Sequence, residues 1–222
     1  MLESKIEIKK TWQIVVATEP CILELRAIWP TGVPLRRPTL IKHFKSKDYK
    51  SLDDCKAIFE STALELNNVG YNIYIVMNPI SLDFKGNAAS DADISHREVL
   101  LIDIDRTGTK VEPATDNEIL EASQLAEGVN DYMEWQHWPN PIRVLSGNGV
   151  HLYYPIPGVP NVPRSNKFIK ELLADLSENF SNDIVEIDTT VFNASRITKV
   201  VGTIARKGLE SDWRPYRMAR VL

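Results

Sequence analysis

The stretch Glu98-Val99-Leu100-Leu101-Ile102-Asp103-Ile104-Asp105-Arg106-Thr107-Gly108 constrains the fold more than any other part of this chain. Val99 to Ile102 is an apolar run too short for a helix of its own and rich enough in bulky side chains to make a buried strand. Strand side chains alternate between faces, so Asp103 and Asp105 project to one side while Ile104 points to the packed side. Two carboxylates on one face repel, and Arg106 is a single cation on the other face. A divalent cation would keep both acids ionised together. A second reading stays open on this stretch alone: the acids end a strand and shape the Thr107-Gly108 turn, as Asp commonly does.

A chain of 222 residues can form one large or two small domains with a sizeable core. Its 43% hydrophobic and 25% charged residues fit a soluble globular protein. No apolar run approaches the roughly 20 residues that span a bilayer. The N-terminus lacks the basic-then-apolar pattern of a signal peptide, so a cytoplasmic protein with no membrane partner is expected. Cys21 and Cys55 are the only cysteines, too few for a disulfide framework or a four-thiolate zinc site from this chain alone. The net charge of -4 is unevenly spread. Residues 1–50 hold ten Lys and Arg against five acids, 196–222 hold seven against two, and 90–134 hold three against twelve. Basic flanks around an acidic middle suit a polyanion held near metal-binding carboxylates, although solvated surface explains most individual charges.

Cys21 to Trp29 is expected as a strand, followed by a loop with Pro30, Gly32, Pro34 and Pro38. Arg36 and Arg37 in that loop meet either phosphate or water. Ser51 caps a helix with Leu52, Cys55, Ile58, Phe59 and Leu66 on its apolar stripe, ending before Gly70. Tyr71 to Met77 is a strand closed by Asn78-Pro79. Thr115 and Glu118 form a capping box for a second helix, with Ile119, Leu120, Leu125, Ala126, Val129, Tyr132 and Met133 inward. Trp135 and Trp138 after it are read as core packing. Ile142–Leu145 and Val150–Ile156 are strands joined by Ser146-Gly147-Asn148-Gly149. Ser165 opens a third helix with Phe168, Ile169, Leu172, Leu173 and Leu176 on one face. Ile184–Ile187 and Arg196–Val201 complete the strands. There is no internal repeat, low-complexity tract or obvious linker, and further domains of a longer parent chain stay open.

With Asn148-Gly149 as a two-residue turn, Gly147 faces Val150 and Ser146 faces His151. A hydroxyl and an imidazole beside glycine-exposed amides make a compact site for phosphate oxygens. A hydrolase nucleophile would need a Gly-x-Ser-x-Gly elbow, which is absent here, and a lone His is more often structural. Asp188, after Val185-Glu186-Ile187, is the natural third carboxylate. Arg196 and Lys199 on a short strand, with Arg206 and Lys207 in the next turn, are the cations a triphosphate needs; ordinary surface charge is the alternative.

In this order the pieces resemble the archaeo-eukaryotic primase superfamily, in particular the primase-polymerases of plasmids, phages and CRISPR-associated systems. Leu-Leu-Ile-Asp-Ile-Asp ending at Asp105, Ser-Gly-Asn-Gly-Val-His ending at His151, and Ile187-Asp188 are similar to the family's three motifs. Val191-Phe192-Asn193-Ala194-Ser195-Arg196-Ile197 with Gly202-Thr203, and Tyr74 to Pro79, look like further family segments. The resemblance covers about residues 21–208. It implies an α+β catalytic core, an RNA-recognition-like antiparallel sheet with an N-terminal α/β unit beside it. The whole of 1–222 would then be one catalytic domain, with the N-terminal unit at about 1–97, the metal-binding sheet module at about 98–208 and a basic tail at 209–222. The implied activity is template-directed nucleotidyl transfer, making and extending primers on single-stranded DNA from nucleoside triphosphates. Asp103, Asp105 and Asp188 would hold two Mg²⁺ or Mn²⁺ ions. Ser146, Gly147, Asn148, His151, Arg196 and Lys199 would hold the nucleotide, and Asn78 and Arg26 would contact sugar or phosphate. Arg36, Arg37, Arg206 and Lys207 are weaker candidates for nucleic-acid contact, and starting a strand implies a second nucleotide site.

Two rivals remain. Asp103-Ile104-Asp105-Arg106-Thr107 also fits the Asp-x-Asp-x-Thr nucleophile loop of a haloacid dehalogenase-type phosphatase. A primase-like fold kept only for binding nucleic acid is the other.

Overall fold

The computed structural model describes residues 2–108 and 111–222 of an α+β protein. Helices α1 (Leu2–Glu7) and α2 (Thr11–Ile14) lead into β1 (Ile22–Ile28), β2 (Leu40–Lys45), α3 (Leu52–Val69) and β3 (Asn72–Val76). Next come β4 (His96–Arg106), α4 (Asp116–Trp135), β5 (Ile142–Leu145), β6 (Gly149–Pro160), α5 (Pro163–Phe180) and β7 (Val185–Ile187). Then follow β8 (Ile197–Lys199), β9 (Ile204–Ala205), β10 (Arg217–Met218) and β11 (Arg220–Val221).

Local chemistry sets the helix ends. Ser51 Oγ accepts from Asp54 N at 3.1 Å, and Gly70, at φ +118°, stops α3 in the left-handed conformation that only glycine adopts without strain. The capping box of α4 is closed in both directions: Glu118 N donates to Thr115 Oγ1 at 3.1 Å and Thr115 N to Glu118 Oε2 at 2.7 Å. α5 starts two residues earlier than Ser165, because Pro163 occupies the first turn, where no N–H is needed. Its buried stripe is Ile169, Leu173 and Leu176, while Phe168 lies outside it and is exposed. Leu120 of α4 is likewise exposed, and Trp135, expected in the core, is 72% exposed; Trp138 does pack inward, edge-on to Tyr154.

One sheet has the order β2-β1-β3-β8 and another β11-β5-β6-β4-β7, with β9 and β10 as a separate pair. Every pairing between these strands is antiparallel. β4 is longer than its apolar run: it carries on through Asp103 and Asp105, with β6 on one side and β7 on the other. Ile102 and Ile104 are fully buried, and α4 and α5 lie against this sheet. The expected partition of the chain is altered at two places. β8, counted with residues 98–208, pairs with β3 in the sheet of the N-terminal unit. Residues 209–222 are no tail: β10 pairs with β9 and β11 with β5, which gives their backbone groups ladder partners. No described helix is long and apolar enough to cross a membrane.

Candidate active site

Asp103 and Asp105 both line a cavity of about 330 Å³ between the two sheets. Asp103 stands opposite His151 of β6, and Asp105 opposite Gly149 on that side and Glu186 of β7 on the other. Gly149 is required here, because a Cβ on it would run into the backbone carbonyl oxygen of Ile104 and come within 2.6 Å of Asp105 Oδ1. Asp188 N donates to Asp103 O at 2.8 Å, which seats the third acid beside the first at the end of β7. Its carboxylate does not line the cavity, since Oδ1 accepts from Thr190 N at 2.8 Å. In the described conformation no three His, Cys, Asp or Glu side chains among the described residues converge on a metal position.

The hairpin between β5 and β6 turns one residue earlier than expected. Ser146 N donates to Gly149 O at 2.9 Å, so Gly147 and Asn148 take the corners, and His151 pairs with Val144 instead of Ser146. Gly147 supplies the positive φ, +103°, which frees Gly149 for its place beside Asp105. Ser146 and His151 still share a face, as diagonal neighbours, and both line the cavity. The Ser146 hydroxyl is committed to the turn, donating to Gly149 O and accepting from Gly149 N, each at 3.1 Å. Asn148 lines the cavity while its Oδ1 accepts from Ala114 N at 3.0 Å.

His151 is buried, with Nε2 3.2 Å from Asp103 Oδ1. Burial alone would lower its pKa, but the charge and hydrogen bond of Asp103, with Asp105 behind, outweigh it and hold the imidazole above its ordinary value.

Across the cavity stand Lys199, Arg196, Arg206 and Lys207. Lys199 is buried against neutral oxygens, donating to Ile204 O at 3.2 Å and Asn72 Oδ1 at 3.4 Å. Burial, then Arg206 nearby, push its pKa down to about 7. Arg196 Nε and Arg206 Nη1 are buried without a hydrogen-bond partner among the described residues. A buried cation held only by neutral oxygens is costly, and Lys199 is in that position, so an anion in the cavity would offset the cost. Tyr74 lies between wall and acids, 5.5 Å from Lys199 Nζ to its ring centroid; burial, Asp105 and Asp103 raise its hydroxyl to about 12.

Other sequence candidates lie outside the cavity. Arg26 Nε donates to buried Glu24 Oε1 at 2.6 Å and Nη2 to Ala89 O at 2.8 Å. Asn78 is a buried strut, donating to Ala194 O at 2.9 Å and accepting from Glu98 N at 2.9 Å. Arg36 is exposed, and Arg37 stacks over Trp29 at 4.8 Å. The sequence reading passed over Asn72, whose amide receives Arg206 N at 2.8 Å and donates to Arg206 O at 2.7 Å, and Tyr74. Asn72 and Tyr74, alternate residues of β3, are the available signal, but only the pairing with β8 gives it meaning. The phosphatase reading fails on the fold: Asp103 to Arg106 lie within a paired strand, not a nucleophile loop, and Thr107 Oγ1 is spent on Asp183 O at 2.7 Å.

Among solved structures the chain is similar to the primase-polymerase domain of cyanophage S-2L, with TM-score 0.57 and 16% identity over 98% of this chain and 89% of that one. It is similar to primase RepB' with TM-score 0.53 and 8% identity, covering 99% of this chain but only 56% of RepB'. It is also similar to the polymerase domain of Mycobacterium tuberculosis Ligase D in complex with DNA, with TM-score 0.53 and 13% identity over 97% and 78% of the two chains. No protein-family model and no curated protein matches the sequence. The chain thus has the fold shared by these primase and polymerase domains.

Proposed function

We propose that this chain is a template-directed nucleotidyltransferase that synthesises and extends primers on single-stranded DNA. The observation that carries the proposal is the cavity itself, where Asp103 and Asp105 face Lys199, Arg196 and Arg206 within a primase-polymerase fold. Adjacent carboxylates are hard oxygen donors suited to Mg²⁺ or Mn²⁺, and the backbone bond from Asp188 N to Asp103 O supports counting Asp188 with them. Asp103, Asp105 and Asp188 would hold two such ions. When bound, these ions supply a lowered pKa at the attacking 3′-hydroxyl and charge neutralisation at the leaving pyrophosphate.

The chain's own groups do the rest. Lys199 and the unpartnered arginine nitrogens of Arg196 and Arg206 bind the triphosphate, exchanging a costly buried charge for an ion pair. Lys207 adds charge at the same wall. Ser146 shapes the turn that presents the Gly147 and Asn148 backbone to the nucleotide. His151 orients Asp103 and stands ready for a phosphate oxygen. Holding both ends of the nucleotide aligns its α-phosphate for in-line attack.

The test is a primer-synthesis assay on single-stranded DNA with labelled nucleotides, with and without Mn²⁺. Labelled oligonucleotides that need the ion are expected. DNA binding without any product would leave a binding module instead.

A further inference from the structure

Asp103 is one end of a line of polar contacts that starts with its 3.2 Å pairing to His151 Nε2 and crosses from the β4–β6 sheet to the other sheet. Beyond the His151 contact, Nδ1 of the imidazole shares a hydrogen bond of 2.7 Å with the Tyr153 hydroxyl, and that hydroxyl shares one of 2.5 Å with Thr198 Oγ1. His151, Tyr153 and Thr198 are 7%, 1% and 2% exposed, so water does not compete for these bonds. Tyr153 follows His151 on the same side of β6 without lining the cavity, whereas Thr198 lies on β8 and lines it together with Ile197 and Lys199.

A packing role would need only the Tyr153 ring. The hydroxyl adds a group that both donates and accepts, so it holds Nδ1 in either protonation state of the imidazole. Burial pushes its own ionisation far up, with the Thr198 bond offsetting part of that, so it stays a neutral hydroxyl. Without it the imidazole could turn about its bond to Cβ and present carbon to Asp103.

We propose that Tyr153 and Thr198 are positioning residues which lock the His151 ring and, through it, hold the Asp103 carboxylate in its working orientation. The inference rests on the reading of Asp103 as a reaction-centre carboxylate. Ligand-orienting partners of this kind are typically worth about 10- to 100-fold in activity. The experiment compares Tyr153→Phe, Thr198→Val and Thr198→Ser in primer extension, in nucleotide binding with EDTA present, and in the ¹⁵N shifts of the His151 ring. Expected are a kcat loss on that scale for Tyr153→Phe and Thr198→Val with a smaller change in nucleotide KM, recovery in Thr198→Ser, displaced His151 ring shifts, and a loss of metal-free nucleotide affinity smaller than the loss in kcat. Wild-type kcat and ring shifts in both disruptive variants would overturn the inference, as would a loss tracking only a lowered melting temperature that Thr198→Ser does not restore. If Tyr153→Phe fails to fold, the Val and Ser variants at position 198 decide the question. A wild-type protein that neither binds nucleotide nor extends primers, with the ring shifts still displaced by Tyr153→Phe, would sink the polymerase reading and leave the line to Asp103 standing.

Discussion

The backbone N–H of Asp188 donates to the carbonyl oxygen of Asp103 at 2.8 Å, so two acids distant in sequence are neighbours across one strand pair. The contact continues the β4–β7 ladder, in which Ile187 faces Ile104, and it makes the place of Asp188 a consequence of register.

Asp188→Asn keeps an oxygen for Thr190 N and removes only the charge. The expected outcome is a folded protein, stability within about 1 kcal/mol of wild type, that binds Mn²⁺ more weakly and extends primers poorly. Mn²⁺ titration followed by electron paramagnetic resonance checks it. Unaltered Mn²⁺ stoichiometry and affinity would remove Asp188 from the ligand set.

Lys199 provides a pH dependence whose sign is fixed. Its folded pKa, about 7, lies below the unfolded 10.5, so between those values the unfolded chain binds more protons. Stability is therefore expected to rise with pH across that window, and Lys199→Met should flatten the rise. Nucleotide affinity moves the other way. Above pH 7 binding must return a proton to the lysine, so affinity falls by up to about tenfold per unit. Titrations from pH 6 to 9, read as wild type minus Lys199→Met, isolate this group; no difference in slope would free Lys199 of the anion-binding role.

Two glycines separate crowding from backbone strain. Gly149→Ala drives a methyl into the Ile104 carbonyl oxygen and against the Asp105 carboxylate, and should cost about 1–3 kcal/mol and most of the activity. Gly108→Ala, at φ +75° with nothing among the described residues within 4 Å of the added carbon, should cost about 1–2 kcal/mol and spare the chemistry. Thermal melts with primer extension check both; equal activity loss in the two variants would contradict the role given to Gly149.

What the sequence discloses follows the range of the interactions. The Ser51 and Thr115 caps, the Gly70 stop and the placing of Asp103 and Asp105 on one face depend on neighbours along the chain, and all are where pattern reading puts them. The turn corner at Gly147-Asn148 depends instead on the β4 strand at Ile104 and Asp105 needing Gly149 across the ladder, so the strongest local turn signal points one residue too far. The return of β8 to the N-terminal sheet brings Thr198 and Lys199 to Tyr153 and Asn72, and no local pattern shows it. Arg26 and Asn78 lie outside the cavity for the same reason: Glu24 and Ala194, their partners, are set by tertiary packing.

Primer extension by the Asp103→Ala, Asp105→Ala double variant, beside wild type and with Mn²⁺ present, tests the central claim most directly. Loss of extension in a variant whose circular dichroism matches wild type is the expected result. Full extension from that variant would contradict the assignment of these carboxylates to nucleotidyl transfer.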